Sequence, residues 1–365
     1  MEYAKNPFTP TFGSVPPFLA GREHILRDIT RGFINGPGDP NLSTIFTGAR
    51  GTGKTALLSF LSETALEHGW IAANVSAMPG MLEDIIERTK ESAEDYLSQN
   101  HAHVNGIQIG PIGIDWEYPH EAQGNWRSRM NTIFKQLEKH DIGLLITIDE
   151  ITVDLEEMLQ FASVYQHFVR ESKKVALLMA GLPYKVSALL RNDSVSFLRR
   201  SQYHQLERIT DVEIANAFRK TVEAGGRSIE PEALESAVAA VDGFPYMMQL
   251  VGYRTWDVSE GLPQISTSDV TQGATLARME LRDRILETTY RELSDKDIDF
   301  CLAMLPDPGP SRVSDIAKRM GVASNYASQY KRRLLEDGVI GERGRGLVGF
   351  DIPAFKEFLG DKYAS

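Results

Sequence analysis

The octapeptide Gly48-Ala49-Arg50-Gly51-Thr52-Gly53-Lys54-Thr55 constrains this chain more than any other stretch. It satisfies the pattern G-x-x-x-x-G-K-[ST] in full. It follows an apolar run, Ser43 to Thr47, and opens a segment from Thr55 to Glu67 in which Leu57, Leu58, Leu61 and Leu66 recur at helical spacing. Strand, glycine loop and helix in that order are the context such a motif requires. Glycines let the backbone curl until its N–H groups converge on anionic oxygens, and the positive end of the following helix faces the same cavity. Lys54 is then expected to reach the β and γ phosphates of a nucleoside triphosphate, and the Thr55 hydroxyl to ligate Mg²⁺. Gly48, Arg50, Gly51, Thr52 and Gly53 complete the expected nucleotide contacts; Arg50 is also a weaker candidate for balancing the charge of the transferring phosphoryl group, because that position often faces solvent. A glycine-rich turn before a helix is common on its own; the Lys-Thr pair after a buried strand is not.

A second element supports the same chemistry. Leu144-Leu145-Ile146-Thr147-Ile148 is apolar throughout and ends in Asp149-Glu150. A carboxylate at the mouth of a buried strand can hold the magnesium shell, the role expected of Asp149. Glu150 is placed to polarise a water for attack on the γ phosphate. Taken alone, Asp-Glu after a strand would read as a helix cap or a solvated loop; behind a complete phosphate loop it reads as part of a site. Turnover also needs a positive charge to balance the transferring phosphoryl group. Arg199 and Arg200, in Phe197-Leu198-Arg199-Arg200, are the candidates, from the same chain or a neighbouring subunit. The competing reading makes them surface groups.

Buried strands alternating with helices predict an α/β fold with a mostly parallel sheet covered on both faces. A chain of 365 residues exceeds one usual hydrophobic core. An extended, Pro- and Thr-rich lead-in covers 1–17 and the nucleotide-binding core 18–206, with a hairpin inserted near 104–115. A helical lid follows over 207–265, a linking helix over 266–293 and a separate module over 294–365. His101, His103 and His120 flank the hairpin at spacings unlike a zinc site and read as a solvated loop. Trp116 and Trp126 are expected to anchor it. The single cysteine, Cys301, sits among Ile298, Phe300, Leu302 and Leu305 and reads as a core thiol. No intrachain disulfide is possible, no secretory pattern opens the chain, and the longest apolar runs are too short to span a bilayer, so a cytoplasmic protein without a membrane partner is expected.

These motifs together resemble the AAA+ and STAND class of P-loop ATPases, particularly the Orc/Cdc6-like group. Phe18-Leu19-Ala20-Gly21-Arg22-Glu23 is similar to the motif that opens this class and lies beside the adenine, which implies a nucleotide contact for Arg22. Gly48 to Thr55 and Asp149-Glu150 match its Walker A and Walker B elements. Gly243-Phe244-Pro245 resembles the Gly-x-Pro signature of the STAND lid and implies one for Pro245. Two departures stand out. The fourth core strand ends in Met179-Ala180-Gly181 where a polar sensor is common, and the lid carries Gly-x-Pro where many AAA+ proteins place a sensing arginine. Both favour a slow switch over a ring-type motor.

The architecture extends to a C-terminal winged helix. Val313, Ile316, Ala317 and Met320 form an apolar stripe ending at Gly321, and a second helix follows from Ala323 to Glu336, the helix-turn-helix pattern. Ser324, Asn325, Ser328 and Gln329 are the candidate base-facing residues, with Lys331 and Arg332 nearer the backbone. The wing Gly341-Glu342-Arg343-Gly344-Arg345-Gly346 offers Arg343 and Arg345 to phosphates or a minor groove. A formal charge of −11 argues against coating nucleic acid with the whole surface, but residues 312–350 carry eight Lys or Arg against four Asp or Glu. The sequence therefore predicts an ATP- and Mg²⁺-binding, slowly hydrolysing switch that couples ATP or ADP occupancy to double-stranded DNA binding, with self-association or a protein partner also accommodated. The rival is a noncatalytic scaffold whose winged helix recruits a protein.

Overall fold

The computed structural model describes residues 5–11, 15–101 and 125–364, of which 99–101 in backbone only. The hairpin expected near 104–115, with His103, Trp116 and His120, lies outside the described residues.

The chain enters the core through α1 (Glu23–Asn35) and β1 (Ser43–Thr47), then α2 (Lys54–Glu67), β2 (Trp70–Ser76), α3 (Met81–His101) and α4 (Trp126–Lys139). It continues with β3 (Gly143–Asp149), α5 (Glu156–Arg170), β4 (Val175–Gly181), α6 (Pro183–Arg191) and β5 (Gln202–Gln205). The five strands form a parallel sheet in the order β2-β3-β4-β1-β5. Side chains alternate across it. Phe46, Leu145 and Leu178 pack with Ile29 and Phe33 of α1 and Leu57 and Leu61 of α2. Ile45, Ile146 and Leu177 pack with Ile85, Phe134, Phe161 and Val186 on the opposite side. Because β3 and β4 are covered on both faces they are apolar at nearly every position, which made them readable from sequence. Trp126 is buried against Phe161 and Phe168 and donates its indole N–H to the Leu82 carbonyl, so it anchors α4 to the core.

The lid comprises α7 (Asp211–Ala224), β6 (Ser228–Ile229), α8 (Pro231–Val241), α9 (Pro245–Val258) and β7 (Gln264–Ile265), and α10 (Thr267–Leu281), expected as part of the linking helix over 266–293, packs into the same core through Val270, Ala274 and Ala277. Capping boxes fix two entries: Thr210 with Glu213 at α7, and Ser266 with Asp269 at α10. Pro245 stands at the first turn of α9, where its missing N–H costs nothing. The described residues of the lead-in form no helix or strand and are anchored on the lid. Asn6 Nδ2 donates to the Tyr253 carbonyl and to Asp257 Oδ1, both at 3.1 Å, and the Thr9 N–H donates to Gln249 Oε1 at 2.9 Å. Phe8 is 1 % exposed and lies 5.0 Å from Phe218, in space left by Gly252.

The stretch after α10 stays helical through a π turn, Arg282–Leu286, and α11 (Glu287–Glu292). The last module follows as α12 (Asp295–Met304), β8 (Ser311–Arg312), α13 (Val313–Arg319), α14 (Ser324–Glu336), β9 (Ile340–Glu342), β10 (Leu347–Phe350) and α15 (Phe355–Tyr363). An antiparallel sheet in the order β8-β10-β9 backs the helices, so the expected strand pair gains β8 as a third member. Cys301 is buried in this core, and burial pushes its thiol pKa up, as a packed thiol requires.

Candidate functional site

In a parallel sheet every carboxyl end lies along one edge, and ligands bind there. The phosphate loop leaves β1 at that edge, beside Asp149 at the end of β3 and Gly181 at the end of β4. Gly51 and Gly53 adopt φ of +77° and +83°, which other residues reach only with strain; Gly53 in this conformation turns the chain into α2. Lys54 is 7 % exposed, and its ammonium donates to the carbonyls of Gly48 and Ala49, both at 2.9 Å. Burial pulls its pKa below the usual lysine value; Glu150 and Asp149 act in the opposite direction.

Thr55 Oγ1 donates to Asp149 Oδ2 at 2.6 Å, and the Glu150 N–H donates to Asp149 Oδ1 at 2.8 Å. The hydroxyl and carboxylate expected to flank a magnesium ion therefore meet across two elements. Both are hard oxygen donors, which suits that ion. Among the described residues no group of three or more His, Cys, Asp or Glu could hold a metal by itself, so the remaining ligands would come from phosphate and water. Glu150 has φ of +55°, a conformation costly for a residue with a Cβ.

The remaining walls come from the lid, the opening segment and the winged helix. A Cβ placed on Gly53 would stand 3.7 Å from Pro245 Cβ, so the first turn of α9 rests against the loop. Arg22, 9 % exposed, donates from Nη2 to the Glu207 carbonyl at 3.0 Å. Burial lowers its pKa, and Glu213, Glu23 and Glu207 offset this. A cavity of about 590 Å³ opens beside the loop; Gly48, Thr52, Tyr184, Arg208, Arg343 and Asp351 are among its lining residues. Two of these belong to the winged helix. Arg50, expected among the nucleotide contacts, reaches the same module: a Cβ on Gly338 would lie 3.2 Å from Arg50 Nε.

Two expectations need correction. Arg199 and Arg200 do not reach the phosphate loop of their own chain. They precede β5, whose Gln202 pairs with Thr44, and Ser201 shares a 2.8 Å hydroxyl–hydroxyl hydrogen bond with Ser43 at the start of β1. The phosphate loop leaves the other end of that strand, on the order of 13 Å away at the usual rise per residue. Arg199 instead donates from Nε to the Leu190 carbonyl at 2.6 Å and pairs with Asp193 at 3.6 Å. These exposed arginines are surface groups in their own chain, and any role in phosphoryl transfer would lie on a second copy.

The second correction concerns the wing and the reading helix. Ser324, Asn325, Ser328, Gln329 and Arg332 are exposed along α14, and Arg345 is exposed in the wing. Lys331 is tied to Glu342 at 2.7 Å, and Arg332 pairs with Glu336 at 3.6 Å. Arg343 pairs with buried Asp351 and donates to the Phe350 carbonyl at 3.2 Å. Nearby carboxylates thus neutralise charges expected to face nucleic acid.

The overall chain path is similar to that of several solved structures. The Walker-type ATPase PABY2304 of Pyrococcus abyssi superposes with a TM-score of 0.68 at 12 % identity, over 93 % of this chain and 96 % of that one. The ADP form of the Aeropyrum pernix ORC2 protein gives 0.56 at 16 % identity, over 98 % of each chain. Cdc6p from Pyrobaculum aerophilum gives 0.51 at 15 % identity, over 97 % of each. The chain has the fold of the Orc/Cdc6-like AAA+ P-loop ATPases. Residues 283–359 match a family described as a domain of unknown function, DUF8462. No curated protein matches the sequence. No helix among the described residues is long and apolar enough to cross a membrane.

Within this Orc/Cdc6-like frame, sequence reasoning missed several residues that line the cavity around the loop. Tyr184, Glu207 and Arg208 line it from α6 and the segment after β5. Arg208 lies 4.3 Å over the Phe244 ring and pairs with Asp242 at 3.1 Å, which pins the core-to-lid junction. Asp351 gave no local signal, since it comes to the same cavity as the loop only through tertiary packing.

Proposed function

We propose that this Orc/Cdc6-like chain is a nucleotide switch: it binds ATP with Mg²⁺ between phosphate loop and lid, and that occupancy sets the placement of a winged helix that binds double-stranded DNA. The observation that supports the reading is that the winged helix lines the same cavity as Gly48 and Thr52 of the phosphate loop, so a nucleotide seated on that loop would sit beside the module. A ligand shifts such an equilibrium only by its differential affinity for the two placements, and a shared wall supplies that difference.

On this reading Lys54 leaves the Gly48 and Ala49 carbonyls to meet the β and γ phosphates. Thr55 and Asp149 exchange their mutual hydrogen bond for the metal. Bound Mg²⁺ supplies neutralisation of charge on those phosphates. Glu150 orients the attacking water and accepts its proton. Arg199 or Arg200 of a second copy balances the developing charge, and the slow turnover to ADP and phosphate resets the switch. Pro245 and Arg22 hold the nucleotide between lid and opening segment. Ser324, Asn325, Ser328 and Gln329 face bases, and Arg332 and Arg345 face phosphates. Lys331 and Arg343 are withheld by their carboxylate partners. That withholding is the specific observation favouring the second reading, a noncatalytic scaffold whose winged helix recruits a protein.

The test is duplex DNA binding by the full chain with ATP, ADP or neither, over a salt series. The switch requires affinity that depends on nucleotide and falls with salt. Affinity indifferent to both removes it and leaves the scaffold. Lys54→Ala should abolish the nucleotide dependence; its survival in that variant would remove the phosphate loop from the coupling.

A further inference from the structure

The wing strands β9 and β10 carry an unusual pair. Gly341 and Gly349 are direct cross-strand partners, so one face of the ribbon has no side chains at that level. Glycines opposite each other weaken a ribbon, and they mark places where another group must approach the backbone closely. Here that group is the Arg343–Asp351 ion pair. A Cβ on Gly341 would stand 2.5 Å from Arg343 Nη1 and 2.5 Å from both Asp351 carboxylate oxygens; one on Gly349 would stand 3.2 Å from Arg343 Nε. The backbone is shaped to seat this pair.

The seat faces a cavity beside the phosphate loop. Arg343 and Asp351 line the cavity that holds Gly48, Ala49 and Thr52. A phosphate entering the cavity beside Gly48, Ala49 and Thr52 would meet the Asp351 carboxylate, a like charge, unless a cation intervened. Arg343 is that cation. Its side chain is 38 % exposed, whereas Asp351 is 7 % exposed, so the arginine can swing and the aspartate cannot. The neighbouring Arg208 is less free, being stacked on Phe244 and paired with Asp242. The lid offers no arginine at Gly243-Phe244-Pro245.

We propose that Arg343 is a terminal-phosphate contact of the nucleotide site, exchanging Asp351 for the γ phosphate of a nucleoside triphosphate. The exchange is the means by which the winged helix distinguishes triphosphate from diphosphate, and it rests on the nucleotide-switch reading above. In the diphosphate state Arg343 stays on Asp351, because no phosphate oxygen lies within its reach. In the triphosphate state the guanidinium makes charge-assisted hydrogen bonds to the γ phosphate and links module to core. Asp351 acts as the competitor that holds Arg343 in reserve.

The experiment titrates the full chain with Mg²⁺–ADP and with the Mg²⁺ complex of a β,γ-imido ATP analogue, by calorimetry. It compares wild type, Arg343→Ala, Asp351→Asn and Gly341→Ala. Losing a charge-assisted phosphate contact weakens binding roughly ten- to a hundredfold. Arg343→Ala should weaken the analogue by that factor and leave ADP within about twofold. Asp351→Asn removes the competitor and should tighten the analogue. Gly341→Ala, which displaces the pair without touching either charge, should change the ratio of analogue to ADP affinity. Equal effects of Arg343→Ala on both nucleotides, or none, overturn the proposal, and so does a weaker analogue complex in Asp351→Asn. A wild-type chain that binds neither nucleotide refutes the switch reading itself, an outcome distinct from binding without discrimination at Arg343.

Discussion

Glu150 gives the sharpest separation of chemistry from fold. Its φ of +55° places a residue with a Cβ in the left-handed region, between Asp149 and the fully buried Ile151. The neighbours fix it there: its own N–H donates to Asp149 Oδ1 at 2.8 Å, and the Ile151 N–H donates to the Ala180 carbonyl at 2.9 Å. Such a conformation costs about 1–2 kcal/mol in an ordinary residue and less in Asn, whose short amide suits it. Glu150→Asn should therefore stabilise the core by roughly 0.5–1 kcal/mol. Glu150→Gly should gain less, since glycine gives back about 0.5–1 kcal/mol in unfolded-state entropy. Glu150→Gln keeps shape and strain and should leave stability unchanged. If Glu150 is the general base, all three should lower ATP turnover by roughly 10²- to 10⁴-fold. The assay pairs phosphate release with denaturant midpoints at constant m-value and hydrogen exchange at Gly143–Asp149. Equal turnover in Glu150→Gln and wild type refutes the assignment of the base. Destabilisation by Glu150→Asn of more than about 1 kcal/mol refutes the strain argument.

Three further outcomes follow from other parts of the molecule. Phe8→Ala should cost about 3 kcal/mol of lid stability, the low end for a buried phenylalanine. The lead-in can peel away once its anchor is gone, so deleting residues 1–11 should cost no more; a loss under about 1 kcal/mol in urea unfolding would show that the lead-in is not docked. Thr55→Ala should abolish the Mg²⁺-dependent part of triphosphate affinity, read by titration with and without a chelator, and unchanged dependence would move the metal elsewhere. Arg319 donates to both Asp307 oxygens at 2.7 Å and, with Ser311, holds that carboxyl down to about 2. A depressed folded-state pKa contributes stability that is complete above the unfolded value of about 4 and is lost as pH falls toward about 2. Winged-helix unfolding should therefore show a pH dependence in that window that Asp307→Asn flattens; an identical acid profile in the variant would remove this pair as its cause.

The parts legible in the sequence are those whose physics is local. Gly51, Gly53, Lys54 and Thr55 announce a phosphate loop because each acts at a fixed offset from its neighbours. Leu144 to Ile148 and Val175 to Ala180 announce central strands because burial on both faces excludes polar residues. Gln202 to Gln205 fails that test, being a polar edge strand held by backbone pairing to β1. Missing it removed the information that fixes Arg199 and Arg200 at the far end of the sheet. Phe8 reads as one aromatic in a loose lead-in until Gly252 supplies the hole it fills.

Arg343 shows the same limit at the site itself. Its place in a glycine-rich wing points to DNA, and no local pattern reveals that two glycines clear a seat for it beside Asp351 or that the seat lines a cavity with Gly48 and Thr52. Coupling between modules has to be built this way, from residues distant in sequence, because a device contained within one element could not sense the other. A substitution in the phosphate loop, such as Lys54→Ala, removes occupancy and coupling together and so cannot tell them apart. Only a change on the winged-helix side of the cavity leaves the loop intact while cutting the link. If module placement reports the γ phosphate, Arg343→Ala should therefore yield a chain that binds nucleotide but whose DNA affinity is the same with ATP as with ADP.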